Sequence, residues 1–203
     1  MWDTPYRRER AKKIADEIAE SVPGLRRGNM LEFGCGTGLI SFYLWNETAH
    51  FTLLDLSEGM IEVVNQKIKT HNFANMTAIV GDIFSAQIQE RHYHVIYSSM
   101  ALHHVLDIAQ AAGRFSDIIV ENGFLCIVDL TEDDGAFHRN ERGFNGHNGF
   151  DAEQLAMLFA RFGFAKISSR VFFHDKKQMP HGTVAYSLFC LLMQKKGEES
   201  LMT

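Results

Sequence analysis

The sequence predicts an α/β domain built on a mostly parallel sheet with helices on both faces. Three observations carry this. Strand-like and helix-like segments alternate through residue 130, and a glycine-rich stretch stands between the first strand and the helix after it. The last two strand-like segments have no helix between them, which suits an antiparallel hairpin at a sheet edge. The chain has 203 residues, 46% hydrophobic and 22% charged. That is enough for a single domain with a sizeable core, and too apolar for a disordered chain.

In chain order, Thr4 is placed to cap a helix whose first position is Pro5. Ala11, Ile14, Ala15, Ile18, Ala19 and Val22 then recur at helical spacing until Pro23-Gly24. Residues 29–33 form a short buried strand, residues 34–38 a glycine loop, and residues 39–45 a second helix. Residues 51–55 make a second strand ending in a carboxylate, after which Ser57 caps a helix to about residue 69. Met60, Ile61, Val64 and Ile68 share one face of it. Residues 76–80, 94–98 and 124–129 are the next strands, with a helix over 107–120 between the last two. Residues 131–149 have no regular pattern, and an irregular segment of that length in a compact domain is usually functional or mobile. Asp151 with Gln154 three residues later suits a capping box for a helix reaching residue 161. Residues 165–174 and 183–193 are the closing strands.

Composition excludes some functions. With 25 acidic and 20 basic residues the net charge is −5, so a global footprint for nucleic acid or an anionic membrane is absent and no nucleic-acid partner is expected. Cys35, Cys126 and Cys190 stand far apart, and an odd count suits a reducing compartment. No apolar core of a signal peptide follows the first residues. The longest apolar stretch, residues 184–193, is about half of the ~20 residues a membrane span requires. A cytoplasmic protein with no membrane span is the expectation; oligomeric state is not legible.

The glycine loop carries the chemistry. Gly34, Gly36 and Gly38 alternate between a strand and a helix, where backbone can approach a ligand closely and the helix N-terminus offers unpaired amides. A nicotinamide dinucleotide requires G-x-G-x-x-G, but the sixth position from Gly34 is Leu39, which disfavours an NAD(P)-dependent oxidoreductase. The form present is acidic-x-G-x-G-x-G. Glu32 would repel a pyrophosphate and would suit a ligand with an ammonium group and a sulfonium.

Here the sequence resembles the class I S-adenosylmethionine-dependent methyltransferases, of the small-molecule and quinone type. Glu32-Phe33-Gly34-Cys35-Gly36-Thr37-Gly38 matches their first motif. Leu54-Asp55-Leu56-Ser57-Glu58-Gly59-Met60 is similar to their second-strand segment, and Gly81-Asp82-Ile83 to their third. Ser98-Ser99-Met100-Ala101-Leu102-His103-His104 resembles their turn after strand 4. The resemblance implies a Rossmann-like doubly wound sheet of seven strands, order 3-2-1-4-5-7-6 with strand 7 antiparallel, in three α/β/α layers. It implies S-adenosylmethionine as cofactor and S-adenosylhomocysteine as product. Asp55 would accept the ribose hydroxyls and Asp82 the adenine amine, with Ile83 offering an amide and an apolar wall. Leu56 and Met60 would sandwich the adenine, while Glu32, Gly34, Cys35, Gly36, Gly38, Ser98 and His103 would surround the methionine end. Each has a plainer alternative: Asp55 as a helix cap, Asp82 as a turn residue, Cys35 as a small buried side chain.

The expected organisation is one domain over 1–203, comprising an N-terminal helix or lid (1–22), a cofactor core (27–130), a substrate-rim loop (131–150) and a C-terminal helix with hairpin (151–203). The acceptor would be a small molecule, with oxygen or carbon favoured over nitrogen by family analogy. Candidate catalytic residues are His103, after strand 4, and His138 and His147 in the rim; a turn-rich loop whose phenylalanines plug the core is the alternative for that segment. Asp129, Glu132, Asp133 and Asp134 cluster after strand 5, but the metal-dependent catechol-type methyltransferases add a carboxylate at the end of strand 4, where Ser98 and Ser99 stand here. No metal is expected, and the cluster is taken as a solvated acidic turn. Arg7, Arg8, Arg10, Lys12 and Lys13 crowd the first helix against its dipole, either as a solvated face or, with Trp2 and Tyr6, folded over cofactor or acidic substrate. A catalytically silent protein that binds S-adenosylmethionine or S-adenosylhomocysteine is the rival from the binding class.

Overall fold

The computed structural model describes residues 2–197 except Arg26, Gln89, Arg91 and His181. Seven strands and five α-helices alternate: α1 (Pro5–Ser21), β1 (Gly28–Phe33), α2 (Leu39–Leu44), β2 (Ala49–Asp55), α3 (Glu58–His71), β3 (Met76–Val80), β4 (Tyr93–Ser99), α4 (Ile108–Ile118), β5 (Ile119–Leu130), α5 (Ala152–Ala160), β6 (Phe164–Met179) and β7 (Gly182–Lys195). A single 3-10 turn, Leu102–His104, follows β4.

The sheet order is β3-β2-β1-β4-β5-β7-β6, as the resemblance implies. β1 pairs in parallel with β2 and β4, β2 with β3, and β4 with β5. β7 runs antiparallel to both β5 and β6. All the parallel strands therefore end at one edge, and β1 and β4 lie side by side at the point where the strand order reverses, the place such sheets keep for ligands. Met30 and Leu31 on β1 have no exposed surface and point to opposite faces, each packed in a separate helix-covered cluster. Burial of each contributes roughly 1.5–3 kcal/mol. This two-sided burial explains why the central strands read as continuous apolar runs.

The helix ends follow local chemistry. Thr4 accepts the Arg7 amide with Pro5 in the first turn, Ser57 accepts the Met60 amide, and Asp151 accepts the amides of Glu153 and Gln154. Three boundaries depart from expectation. The helix expected over 107–120 ends at Ile118, because the β-branched run Ile118-Ile119-Val120 enters β5, where Ile119 pairs with Tyr93. The second helix stops at Leu44, with Trp45 turned extended. The closing hairpin is longer than read, since the polar residues 175–179 lack alternation but are held by backbone pairing to 182–186.

Candidate functional site

At the reversal point the glycine loop makes a tight cradle. Gly34, Gly36 and Gly38 have φ of +71°, +53° and +76°. The amides of Gly34 and Cys35 both donate to the Leu54 carbonyl, tying the loop to β2. A Cβ on Gly34 would lie 2.2 Å from that of Ala101, whereas one on Gly36 would meet nothing within 4 Å and would project into open space. Gly34 is therefore required by packing against the turn after β4, and Gly36 by backbone conformation facing a void.

Two chambers meet at Gly34. The first is walled by Leu54, Asp55, Leu56, Asp82, Ile83 and His104, among others. The Asp55 carboxylate accepts the Gly36 amide at 2.7 Å and the Ser57 amide at 2.9 Å, which fixes it at the tip of β2. Asp82 accepts the Phe84 amide at 2.9 Å, and the Ile83 carbonyl is held by Arg114 at 2.8 Å. Both carboxylates retain acceptor capacity for ligand hydroxyl or amine groups.

The second chamber contains Glu32, Cys35, Gly36, Met60, Ser99 and Met100, with Trp2, Asp3, Arg7 and Arg10 closing over it. Glu32 is buried on β1 and accepts the Ser41 amide at 3.2 Å and the Ser41 hydroxyl, which is itself 2.6 Å from the Tyr97 hydroxyl. Burial pushes the Glu32 carboxyl up to about 8 despite those bonds. A cation placed in this chamber would favour its ionised form. Burial likewise pushes the Cys35 thiol up, which leaves it a protonated, inert side chain at neutral pH. The N-terminal segment is latched here: Asp3 accepts the Thr37 hydroxyl at 2.6 Å and pairs with Lys67 at 2.7 Å, and Lys67 also holds the Thr37 carbonyl.

The structure separates residues that the sequence had grouped. Leu56, which precedes the Ser57 cap of α3, walls the first chamber, and Met60, in the first turn of that helix, walls the second. Ser98 is fully buried with its hydroxyl unpartnered, and its neighbours Ser99 and Met100 line the chamber instead. His103 lines neither chamber. It is buried, with Nδ1 2.6 Å from an Asp129 carboxylate oxygen and its amide donating to the other oxygen at 3.2 Å. His138 is buried beside it, ring centroids 4.9 Å apart, stacked on Phe144 at 3.7 Å, and burial lowers its pKa so that it stays neutral. His147 donates its amide to the His103 carbonyl at 2.7 Å, and its ring, 5.2 Å from that of Phe150, lines a cavity away from the glycine loop.

One correction concerns residues 129–134. Asp129 does not belong to a solvated acidic turn; it has no exposed surface and anchors the turn after β4 through His103. The apolar run from Phe124 to Val128 continuing to Leu130 was the signal that position 129 lies inside the strand. Asp133 instead closes a turn, accepting the amides of Gly135 and Phe137. Met100 sits at φ +52°, unusual for a residue other than glycine, and nothing in its type announces this.

Residues 6–169 match the family described as "Methyltransferase domain". The chain is 27% identical over 145 residues to an uncharacterized methyltransferase of Schizosaccharomyces pombe, covering 64% of this chain and 51% of that protein. It is 25% identical over 113 residues to a non-reducing polyketide synthase of Aspergillus terreus, covering 52% of this chain and 5% of that protein. The chain thus spans about half the length of the first relative and a small part of the second. Among solved structures, TehB from Haemophilus influenzae superposes with a TM-score of 0.70 at 19% identity, covering 90% of this chain and 62% of that one. The [4+2]-cyclase SpnF gives 0.72 at 12% identity, covering 91% and 80%. At such identities the structural likeness speaks for the fold alone. No helix among the described residues is long and apolar enough to cross a membrane. The sheet order, the cradle at its reversal point and the family match over most of the sequence agree: the chain belongs to the methyltransferase-domain family of class I S-adenosylmethionine-dependent methyltransferases.

Proposed function

We propose that this chain transfers a methyl group from S-adenosylmethionine to a small molecule, with oxygen or carbon as the receiving atom. The observation that carries this is the continuity of the two chambers at Gly34, with carboxylates for a nucleoside at one end and a buried acid at the other. The residues present fit the cofactor: Asp55 and Asp82 would hold its nucleoside, Glu32, Cys35 and the three glycines its amino-acid end. When bound, S-adenosylmethionine supplies an electrophilic methyl group on a positively charged sulfur.

The protein's task is then alignment and exclusion of water. Asp55, clamped by two backbone amides, orients the nucleoside end. Trp2 and Asp3, latched to the loop and α3, form a lid over residues 34–37 and keep the chamber dry. Residues 131–150 act as a substrate rim, with Phe137 walling an outer cavity that shares Arg7, Arg10 and Met100 with the cofactor chamber. His103 holds the turn that carries Met100 rather than facing the reacting atoms, and His138 and His147 support the rim.

A catalytically silent binder of the cofactor is the second reading, since one fold hosts many functions. Calorimetry is expected to show S-adenosylhomocysteine binding and no NAD binding; the reverse would end the proposal. Transfer of labelled methyl to members of a panel of phenols, quinones and carboxylic acids separates an enzyme from a silent binder.

A further inference from the structure

The outer cavity, about 690 Å³, opens beside the cofactor chamber and carries four cationic side chains against two carboxylates. Its charges are unevenly matched. Lys177 pairs with Glu141 at 2.6 Å, and Asp175 accepts the Tyr6 hydroxyl at 2.7 Å and the Lys176 amide at 2.7 Å. Arg7 and Arg10 make no ion pair among the described residues. Arg7 donates to the Trp2 carbonyl at 3.1 Å, and Arg10 to the Tyr186 hydroxyl at 3.4 Å with its guanidinium 5.7 Å from the Tyr6 ring centroid. Helix formation asks for neither: Arg7 in the first turn opposes the helix dipole, and Arg10 lies in the second turn, beyond the dipole's main reach. Guanidinium groups have a planar fork that matches a carboxylate, and these two stand at the passage between the chambers.

Of the uncharged lining residues, Tyr6, Phe137 and Tyr186 are aromatic and stand beside Met100 and Gln178. Phe137 and Tyr186 lie edge to face with centroids 5.0 Å apart, and the Tyr6 and Tyr186 hydroxyls are 3.0 Å apart. We infer that the outer cavity takes a planar aromatic acceptor bearing a carboxylate, the carboxylate held by Arg10 and Arg7 and the ring lying among Tyr6, Phe137 and Tyr186. This inference rests on the methyl-transfer proposal above. It develops the reading in which the basic first helix folds over an acidic substrate.

The methionine carboxylate of the cofactor has the same chemistry, so the experiment must separate the two sources. Protein saturated with S-adenosylhomocysteine is titrated calorimetrically with 4-hydroxybenzoate and 3,4-dihydroxybenzoate and with the methyl ester of each. The acids are expected to bind at least tenfold more tightly than the esters. Arg10→Gln is expected to erase that preference in the saturated protein, and Arg10→Lys to restore part of it. Equal binding of acid and ester, or binding of neither to the saturated protein, overturns the inference. So does a tenfold loss of S-adenosylhomocysteine affinity in Arg10→Gln with the acid preference intact, which would assign the guanidinium to the cofactor. Failure of the wild-type protein to bind S-adenosylhomocysteine would instead remove the methyl-transfer proposal.

Discussion

Replacing Glu32 with glutamine tests whether the acid beneath the glycine loop is held protonated. Glu32 is 2% exposed, and its carboxyl rises from 4.5 to about 8, burial outweighing the two bonds from Ser41. Below pH 4.5 the group is protonated whether the chain is folded or not. Between there and pH 8 the unfolded chain loses the proton and the folded one keeps it, so stability falls as pH rises and the loss is complete above pH 8. At about 1.4 kcal/mol per pH unit the ceiling is about 5 kcal/mol, and relaxation around the buried charge reduces it to ~2–4 kcal/mol. Glutamine keeps the shape and the acceptor for Ser41 but does not ionise. The penalty grows with pH in the wild-type protein alone, so from pH 6 to pH 9 in urea unfolding the variant should gain ~1–3 kcal/mol relative to wild type. Two profiles that stay parallel across this range would refute the argument, because they would mean that Glu32 ionises in the fold without cost.

Asp55→Ala should weaken S-adenosylhomocysteine binding roughly 10- to 150-fold in calorimetry, the range for losing bonds to a charged acceptor of about 1.5–3 kcal/mol; unchanged affinity would displace Asp55 from the site. Gly34→Ala should lower stability by ~2–5 kcal/mol in chemical denaturation, since its Cβ meets Ala101 at 2.2 Å and its φ is +71°. Asp3→Asn should leave the fold intact and speed S-adenosylhomocysteine dissociation about 5- to 30-fold in stopped flow, from loss of ~1–2 kcal/mol in the latch to Lys67 and Thr37. Asp129→Ala should cost about 3 kcal/mol and broaden the His103 and His138 proton resonances, because the turn loses its buried anchor; a sharp spectrum at full stability would reject the anchoring role.

The parallel core was legible because its strands are buried on both faces and its helices are capped by residues with one clear role, Thr4, Ser57 and Asp151. The glycine loop was legible from its alternating glycines, whereas Asp55 and Asp82 were singled out by the resemblance. What escaped was decided by packing between distant segments. Asp129, read as the last residue of a strand and grouped with the acidic turn after it, is buried because β5 runs on through it and pairs it with Phe189. The Asp3 carboxylate takes its two partners from distant segments, Thr37 34 residues away in sequence and Lys67 further on, while Arg8 holds only its carbonyl. Met100 takes a left-handed backbone that no propensity assigns to methionine. The histidines illustrate the opposite failure: the paired motif was visible, but burial at 2% for His103 makes it a structural pin of the turn.

The first helix is tied to the last two strands. Arg170 on β6 grips Glu17 with two bonds of 2.6 and 2.7 Å, and Tyr6 reaches Asp175 and Tyr186. These partners lie 153 to 180 residues apart. α1 also packs on α2 and, through Asp3, is tied to the glycine loop and α3, whereas its clamp to β6 and β7 joins segments far apart in sequence, a closure of high contact order that slows folding. The roof of the cofactor chamber is therefore held by two independent ties, one near in sequence and one remote. Loss of the remote clamp would loosen the body of α1 while the Asp3 latch still covered the glycine loop.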